Sequence, residues 1–373
     1  MVIMVIGVAK EIKNNEFRVG LTPGAASAYV AAGHTVLIEK GAGLGSSYTD
    51  EEYVAAGCKI VETAEEAWAA DMVIKVKEPL ESEYKYFRKD LILYTYLHLA
   101  ADEPLTKALM ESEVKAIAYE TIVDSRFGGL PCLAPMSEIA GRMSIQEGAK
   151  YLERPFGGRG VLLGGVTGVK RGNVLILGAG NVGLNAAKMA VGLNANVTIT
   201  DVNLTRLAYI DDLFGSKITT LYSSDANIRE ALKDADLVIG SVLLPGKATP
   251  KLIRKEHLKL MKPGAVIVDV AIDQGGCCET SHPTTHDDPI FVMDGIVHYC
   301  VANIPGAVSN TSTQALVNRT LPYGLRLANM GVEAACKADK GLMNGVNCYA
   351  GKCTFPGVAE ALKLEYVAPE TLM

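Results

Sequence analysis

The sequence predicts an α/β protein of two doubly wound domains, separated by a cleft and joined by long helices. Three observations lead there. Near the middle, residues 174–183 read VLILGAGNVG, an apolar run ending in Gly-x-Gly-x-x-Gly, and 184–191 continue as a helical stretch. Strand, tight turn and helix in that order open a Rossmann-like unit. Residues 65–77 (EEAWAADMVIKVK) are echoed by 229–242 (REALKDADLVIGSV), and 90–98 (DLILYTYLH) by 264–273 (GAVIVDVAID), so two halves share one architecture. Two long helical stretches, 137–152 and 313–328, fall where the halves meet.

The elements follow in order. Residues 4–9 (MVIGVA) form an apolar strand, and 10–18 (KEIKNNEFR) a polar loop. Thr22 and Pro23 open a helix as N-cap and first residue, and Gly33 ends it before the strand 34–39 (HTVLIE). Strand, helix and strand with short connections suggest a parallel unit. Ser137 is a candidate N-cap for the first long helix. The segment 299–305 (YCVANIP) reads as the last strand of the second half, and the helix after it, interrupted by Pro322, returns the chain to the first half. The expected domains are therefore 1–136 with 307–373, and 137–306. The tail beyond about Lys337 is punctuated by Gly and Asn and carries no readable pattern.

The glycine run has specific chemistry. Gly178 lets the turn close, Gly180 lets backbone approach a pyrophosphate, and Gly183 lets the helix pack on the strand. The helix N-terminus offers N–H groups and the positive end of its dipole to phosphate. The next strand, 195–201 (ANVTITD), ends in Asp201, about 20 residues on, where ribose hydroxyls are read. A carboxylate there accepts from a 2′-hydroxyl and repels a 2′-phosphate, which favours NAD over NADP.

Composition excludes several classes. The 373 residues are 49% hydrophobic and 21% charged, ordinary for a chain with full cores. A net charge of −6 without a dense basic block argues against nucleic-acid and membrane-surface partners. The opening MVIMVI lacks the length and basic flank of a secretion signal, and no apolar run reaches membrane-spanning length. Eight cysteines in such a chain read as reduced thiols, so a soluble cytoplasmic protein is expected.

In open α/β sheets ligands bind beyond the carboxyl ends of the strands. That rule selects Arg18, Lys77 and His98 from the first half and Asp273 from the second. Two cations suit an anionic substrate, while an imidazole and a carboxylate suit proton transfer near neutral pH. Each has a plainer reading: surface salt bridge for Arg18, solvated pair with Glu78 for Lys77, core histidine for His98, turn former for Asp273. The cluster 277–286 (CCETSHPTTH) fits no usual zinc spacing, and no metal is assigned.

Motifs along nearly the whole chain carry a resemblance: KNNEFRV at 13–19, KVKEP at 75–79, LHLA at 97–100, AYET at 118–121, APMSE at 134–138, GGRGVLLGGV at 157–166, DVAIDQGG at 269–276 and VANIP at 301–305. In these the sequence resembles the NAD-dependent alanine dehydrogenases. The resemblance implies a homohexamer of two-domain subunits that interconvert L-alanine and pyruvate plus ammonia. It implies that Arg18 and Lys77 hold the substrate carboxylate and carbonyl and that His98 and Asp273 move protons; the family pattern points to the second lysine of KVK, with Lys75 the structural alternative. Ser137, Asn181 and Val182 match phosphate contacts. Asp201 and Arg206 match positions around the adenine ribose, and Ser223 one near the adenine. Val242, Leu243, Val270, Ala271, Ile272, Asp273, Val301, Ala302, Asn303 and Ile304 match the edges of the cofactor cleft. His282 stands where some members carry arginine. The alternative functions are a non-catalytic NAD-binding or sensing protein, a transhydrogenase-like nucleotide-binding subunit, and a relative that reduces an imine of a larger keto acid.

Overall fold

The computed structural model describes residues 2–242 and 249–373, which fall into two compact units, 1–136 with 306–373 and 137–305. The first unit begins with six strands: β1 (Val5–Val8), β2 (Thr35–Glu39), β3 (Lys59–Val61), β4 (Met72–Ile74), β5 (Ile92–Thr95) and β6 (Lys115–Ala118). The second holds β7 (Asn173–Leu177), β8 (Asn196–Asp201), β9 (Ile218–Tyr222), β10 (Leu237–Gly240), β11 (Val266–Asp269), β12 (Ile290–Met293) and β13 (Ile296–Tyr299). The chain then returns to the first unit with β14 (Val346–Tyr349) and β15 (Lys352–Cys353).

Both sheets are wound alike. The first has the order β15-β14-β6-β5-β4-β1-β2-β3 and the second β12-β13-β11-β10-β7-β8-β9. Stripped of their antiparallel edges (β14 and β15, and β12), each is a parallel run in the order 3-2-1-4-5-6. The direction of winding reverses between β1 and β4 in one sheet and between β7 and β10 in the other. The central strands β4, β5, β10, β11 and β13 are buried along their whole length, as strands covered on both faces must be.

Local chemistry sets the helix ends. Thr22 Oγ1 accepts the Ala25 N–H at 3.2 Å with Pro23 at the first helical position of Pro23–Ala31. Thr49 with Glu52 and Thr63 with Glu66 close reciprocal capping boxes. Among the described residues no helix is long and apolar enough to cross a membrane.

Four expectations are corrected. The helix at the unit boundary runs Ala134–Tyr151, so Ser137 lies a turn inside it and is not its cap. The Leu130 carbonyl takes the N–H groups of Leu133 and Ala134, and Pro135 is tolerated because first-turn N–H groups need no helical partner. The last strand of the second unit is β13, which ends at Tyr299 where the expected strand began; residues 300–303 are the loop beyond it. β11 stops at Asp269, and Val270–Gln274 is a single 3-10 turn. The tail is structured: β14 and β15 extend the first sheet, and Cys348, Cys353, Val358 and Ala359 join a core with Trp68, Leu93 and Leu105. The returning helix, Ser309–Met330, contains Pro322.

Gly7 shows how closely the first sheet is covered. A Cβ there would lie 1.9 Å from the Ala67 carbonyl oxygen, whereas one at Gly24 would meet nothing within 4 Å. Gly7→Ala is expected to destabilise the protein by about 1–3 kcal/mol through overpacking. Gly24→Ala should stabilise it by about 0.5 kcal/mol by restricting the unfolded chain. Denaturant unfolding of the two variants checks the pair, and equal midpoints would contradict this packing.

Candidate active site

The first cluster lies beyond the carboxyl ends of the adjoining strands β1, β4 and β5. Arg18 is 2% exposed. Glu16 grips it in bidentate fashion, accepting from Nε and Nη2 at 2.6 Å each, and Nη1 donates to Met136 Sδ at 3.1 Å. Burial disfavours the guanidinium charge, but the Glu16 carboxylate outweighs it and raises the pKa further. Arg18 is thus a held, desolvated cation, and the surface salt-bridge reading does not apply.

Lys75 and Lys77 part company two residues apart. Lys75 is fully buried, with its ammonium 3.2 Å from Glu11 and 3.0 Å from Glu83. Lys77 is half-buried, and its carbonyl accepts from Thr95 Oγ1 at 3.1 Å. Alternation along an extended chain puts Val76 between them and would turn both lysines to one side. β4 ends at Ile74, so that rule has lapsed here.

His98 follows β5 in the left-handed region, at φ +50°. A bulky residue held there marks backbone strain that the surroundings must enforce. The enforcing group is Glu120, which accepts the His98 N–H at 2.6 Å and the Leu97 N–H at 3.1 Å. The ring itself is 48% exposed, with Nδ1 3.4 Å from Glu78 Oε2. Burial of its inner edge works against protonation, but Glu78 and Glu120 prevail and raise the imidazole pKa. Glu78 is held well below the usual carboxylate range: burial opposes the charge, and His98, Lys77 and Lys13 overcome it.

Asp273 belongs to the second unit, exposed on the turn after β11. Asp269, at the strand end, is buried and accepts the N–H groups of Cys277 and Cys278 at 3.2 and 3.1 Å. Cys277 and Cys278 are themselves buried, and the described residues contain no group of three His, Cys, Asp or Glu side chains placed to hold a metal.

The glycine turn can be tested against a dinucleotide. Gly178 has φ +97°, and a Cβ there would crowd the Ser241 carbonyl at 3.0 Å. At Gly183 a Cβ would lie 1.9 Å from the Gly178 oxygen, so helix Asn181–Gly192 packs on the turn only through glycine. Gly180 is exposed, caps that helix without a side-chain bond, and leaves open space where a Cβ would stand. Asn181 is exposed beside it, and Val182 is buried. Asp201 accepts the Ala179 N–H at 2.7 Å and the Asn203 N–H at 2.8 Å. Arg206 Nε donates to the Ala179 carbonyl at 2.5 Å, and the Ser223 N–H to the Asp201 carbonyl at 3.0 Å. The turn, the acid and the arginine thus form one framework, open at Gly180, that fits a pyrophosphate and a ribose.

The remaining cofactor-edge residues are placed as follows. Val242 is half-buried after β10, and Leu243 lies outside the described residues. Ala271 and Ile272 are buried in the turn with Val270 half-buried; Val301 and Ile304 are buried, with Ala302 and Asn303 half-buried between them. Asn303 has φ +67°, and its carbonyl meets His286 Nε2 at 3.0 Å. His282 stacks on Phe291 with centroids 3.8 Å apart. Sequence reasoning missed Glu11, Glu16, Glu78, Glu83, Glu120 and Ser241. The first five carry charge beside a chosen cation or loop, which was the available signal. Ser241, whose Oγ donates to the Leu177 and Gly178 carbonyls at 2.7 and 2.9 Å, carried none.

Residues 7–140 match the family described as alanine dehydrogenase/PNT, N-terminal domain, and residues 144–356 match its C-terminal domain. The chain belongs to this alanine dehydrogenase/PNT family. Proteins named alanine dehydrogenase from Methanococcus maripaludis and Bacillus subtilis are 58% and 55% identical to it. The alignments span 98% of this chain in both cases, and 99% and 97% of the relatives. A solved L-alanine dehydrogenase superposes with a TM-score of 0.94 at 54% identity, covering 96% of this chain and 99% of its own. A transhydrogenase from Sinorhizobium meliloti, 24% identical, shares the fold with a TM-score of 0.81 over 94% of this chain and 99% of its own.

Glu78→Gln removes the carboxylate facing His98 while keeping its shape. The His98 pKa is then expected to fall, since the group that favours the imidazolium is lost. An NMR titration of the His98 ring checks this, and an unmoved midpoint would contradict the pairing.

Proposed function

We propose that this protein catalyses the reversible, NAD-dependent oxidative deamination of L-alanine to pyruvate and ammonia. The observation that carries the reading is the held guanidinium of Arg18 with Lys77 and His98 at neighbouring strand ends, in a chain whose near-full-length relatives are named alanine dehydrogenase. The open glycine turn and Asp201 support NAD as the cofactor.

Gly178, Gly180 and Gly183 with the N-terminus of helix Asn181–Gly192 would hold the pyrophosphate, and Asp201 the adenine ribose. Ser137, Arg206, Ser223, Val242, Leu243, 270–273 and 301–304 would line the rest. When bound, NAD supplies the acceptor for the hydride that leaves alanine Cα.

This chain's residues do the rest. Arg18 pairs with the substrate carboxylate, fixing the molecule before any bond breaks. Lys77 stabilises negative charge on the carboxylate and on the oxygen that becomes the carbonyl. Alanine loses an ammonium proton, releases hydride from Cα to become iminopyruvate, adds water, and expels ammonia to leave pyruvate. His98 and Asp273 divide the proton transfers. Glu78 faces Nδ1, so Nε2 is the ring nitrogen left to exchange protons with substrate. By family resemblance the working form is a cytoplasmic homohexamer.

NADH oxidation with ammonia and pyruvate, glyoxylate or hydroxypyruvate tests the reading; pyruvate should be fastest. Lys77→Ala and His98→Ala are each expected to lose about 10³-fold in kcat/KM while NADH binding survives. Near-normal rates in either would remove that residue from the mechanism.

A further inference from the structure

The reaction above makes no use of three ionisable side chains buried near the strand ends: Lys75, Glu83 and Glu11, exposed by only 0%, 4% and 8%. They sit where β1 and β4 stop pairing. The ladder between those strands ends at Val8 and Ile74. Beyond it the N–H groups of Val76 and Lys77 have lost the neighbouring strand that would accept them. An unpaired buried N–H is costly, so an acceptor must come from elsewhere.

Glu11 supplies it. Its Oε1 accepts the Val76 N–H at 2.6 Å and lies 3.4 Å from the Lys77 nitrogen. A carboxylate this deep needs compensation, and Lys75 faces its other oxygen at 3.2 Å. The same ammonium lies 3.0 Å from Glu83 Oε1, and Glu83 Oε2 accepts the Leu80 N–H at 2.9 Å. On the opposite side, the Val76 carbonyl accepts the Tyr96 N–H at 3.3 Å and the Lys77 carbonyl the Thr95 hydroxyl at 3.1 Å. The segment from Lys75 to Leu80 is therefore tied at both ends and from both sides, with Lys77 in the middle.

We propose that Glu11 and Lys75 are positioning residues: the buried Lys75 ammonium holds the Glu11 carboxylate, which fixes the backbone at Val76 and Lys77 and so sets where the Lys77 ammonium is presented to the substrate. The proposal rests on the reading of Lys77 as a substrate-binding residue. It assigns the two lysines of the KVK motif complementary tasks, one buried to shape the strand end and one directed from it. A displacement of about 1 Å in such a group lowers rates by about 10²-fold, so a clamp on the backbone has kinetic weight.

The test compares full-length wild type with Glu11→Gln and Lys75→Met. Glu11→Gln keeps shape and one carbonyl acceptor but removes the charge that Lys75 holds. Amide exchange at Val76 and Lys77, followed by peptide mass spectrometry, should be at least about tenfold faster in both variants, with β7 and β8 unchanged. The KM for pyruvate, with rates normalised to NADH-binding sites, should rise at least about tenfold while NADH affinity stays within about twofold. A role confined to stability would instead reduce the number of NADH-binding sites and leave the pyruvate KM alone, which would overturn the proposal. So would unchanged exchange at the two amides. If Lys75→Met does not accumulate as folded protein, Glu11→Gln decides alone by the same two readings. A wild-type protein that fails to oxidise NADH with pyruvate and ammonia counts against the functional reading, while amide exchange still decides the clamp.

Discussion

A parallel sheet leaves backbone donors and acceptors without partners where neighbouring strands end and their connections diverge. In both units this happens between the two strands at which the winding reverses, β1 and β4 in one and β7 and β10 in the other. The two units meet the same constraint with different chemistry. In the second, Ser241 donates to the Leu177 and Gly178 carbonyls, Asp201 accepts the Ala179 N–H, and glycines keep the space open. In the first, Glu11 accepts the Val76 N–H, Lys75 faces Glu11 with the opposite charge, and Glu83 faces Lys75 in turn. One solution leaves open space at the glycine turn; the other fills the equivalent place with paired charge.

Electrostatics in the first unit rests on paired charges beyond the strand ends. Arg18 has Glu16, Lys75 has Glu11 and Glu83, and His98 has Glu78. Pairing makes burial of charge tolerable and fixes orientation before substrate arrives, which is where preorganisation acts. The strained backbone at His98 belongs to the same scheme. Its left-handed geometry turns two successive N–H groups onto Glu120 and sends the ring toward Glu78.

The parts legible in the sequence were those governed by local rules. The glycine turn, the strands before Lys77 and His98, and the Thr22–Pro23 helix start depend on residues within a few positions of one another. The misplaced features depend on distant ones. Ser137 is a good cap by type, but the turn at Leu130 starts the helix earlier. Residues 299–305 look apolar enough for a strand, yet β11 and β12 pair only as far as Tyr299. The tail is short-stranded and gains its order from β6 and the Trp68 core. The pairings of the carboxylates beyond the strand ends depend on distant residues too: Glu11 meets Lys75, and Glu78 meets His98, only once the sheet has aligned separate loops.

The proposed chemistry makes one atom diagnostic, the hydrogen on alanine Cα. With L-[2-²H]alanine and NAD, the account predicts that the NADH formed carries the deuterium at C4 of the nicotinamide, with pyruvate and ammonia released in equal amounts. NADH formed without label, or no reduction of NAD by L-alanine at all, would contradict it.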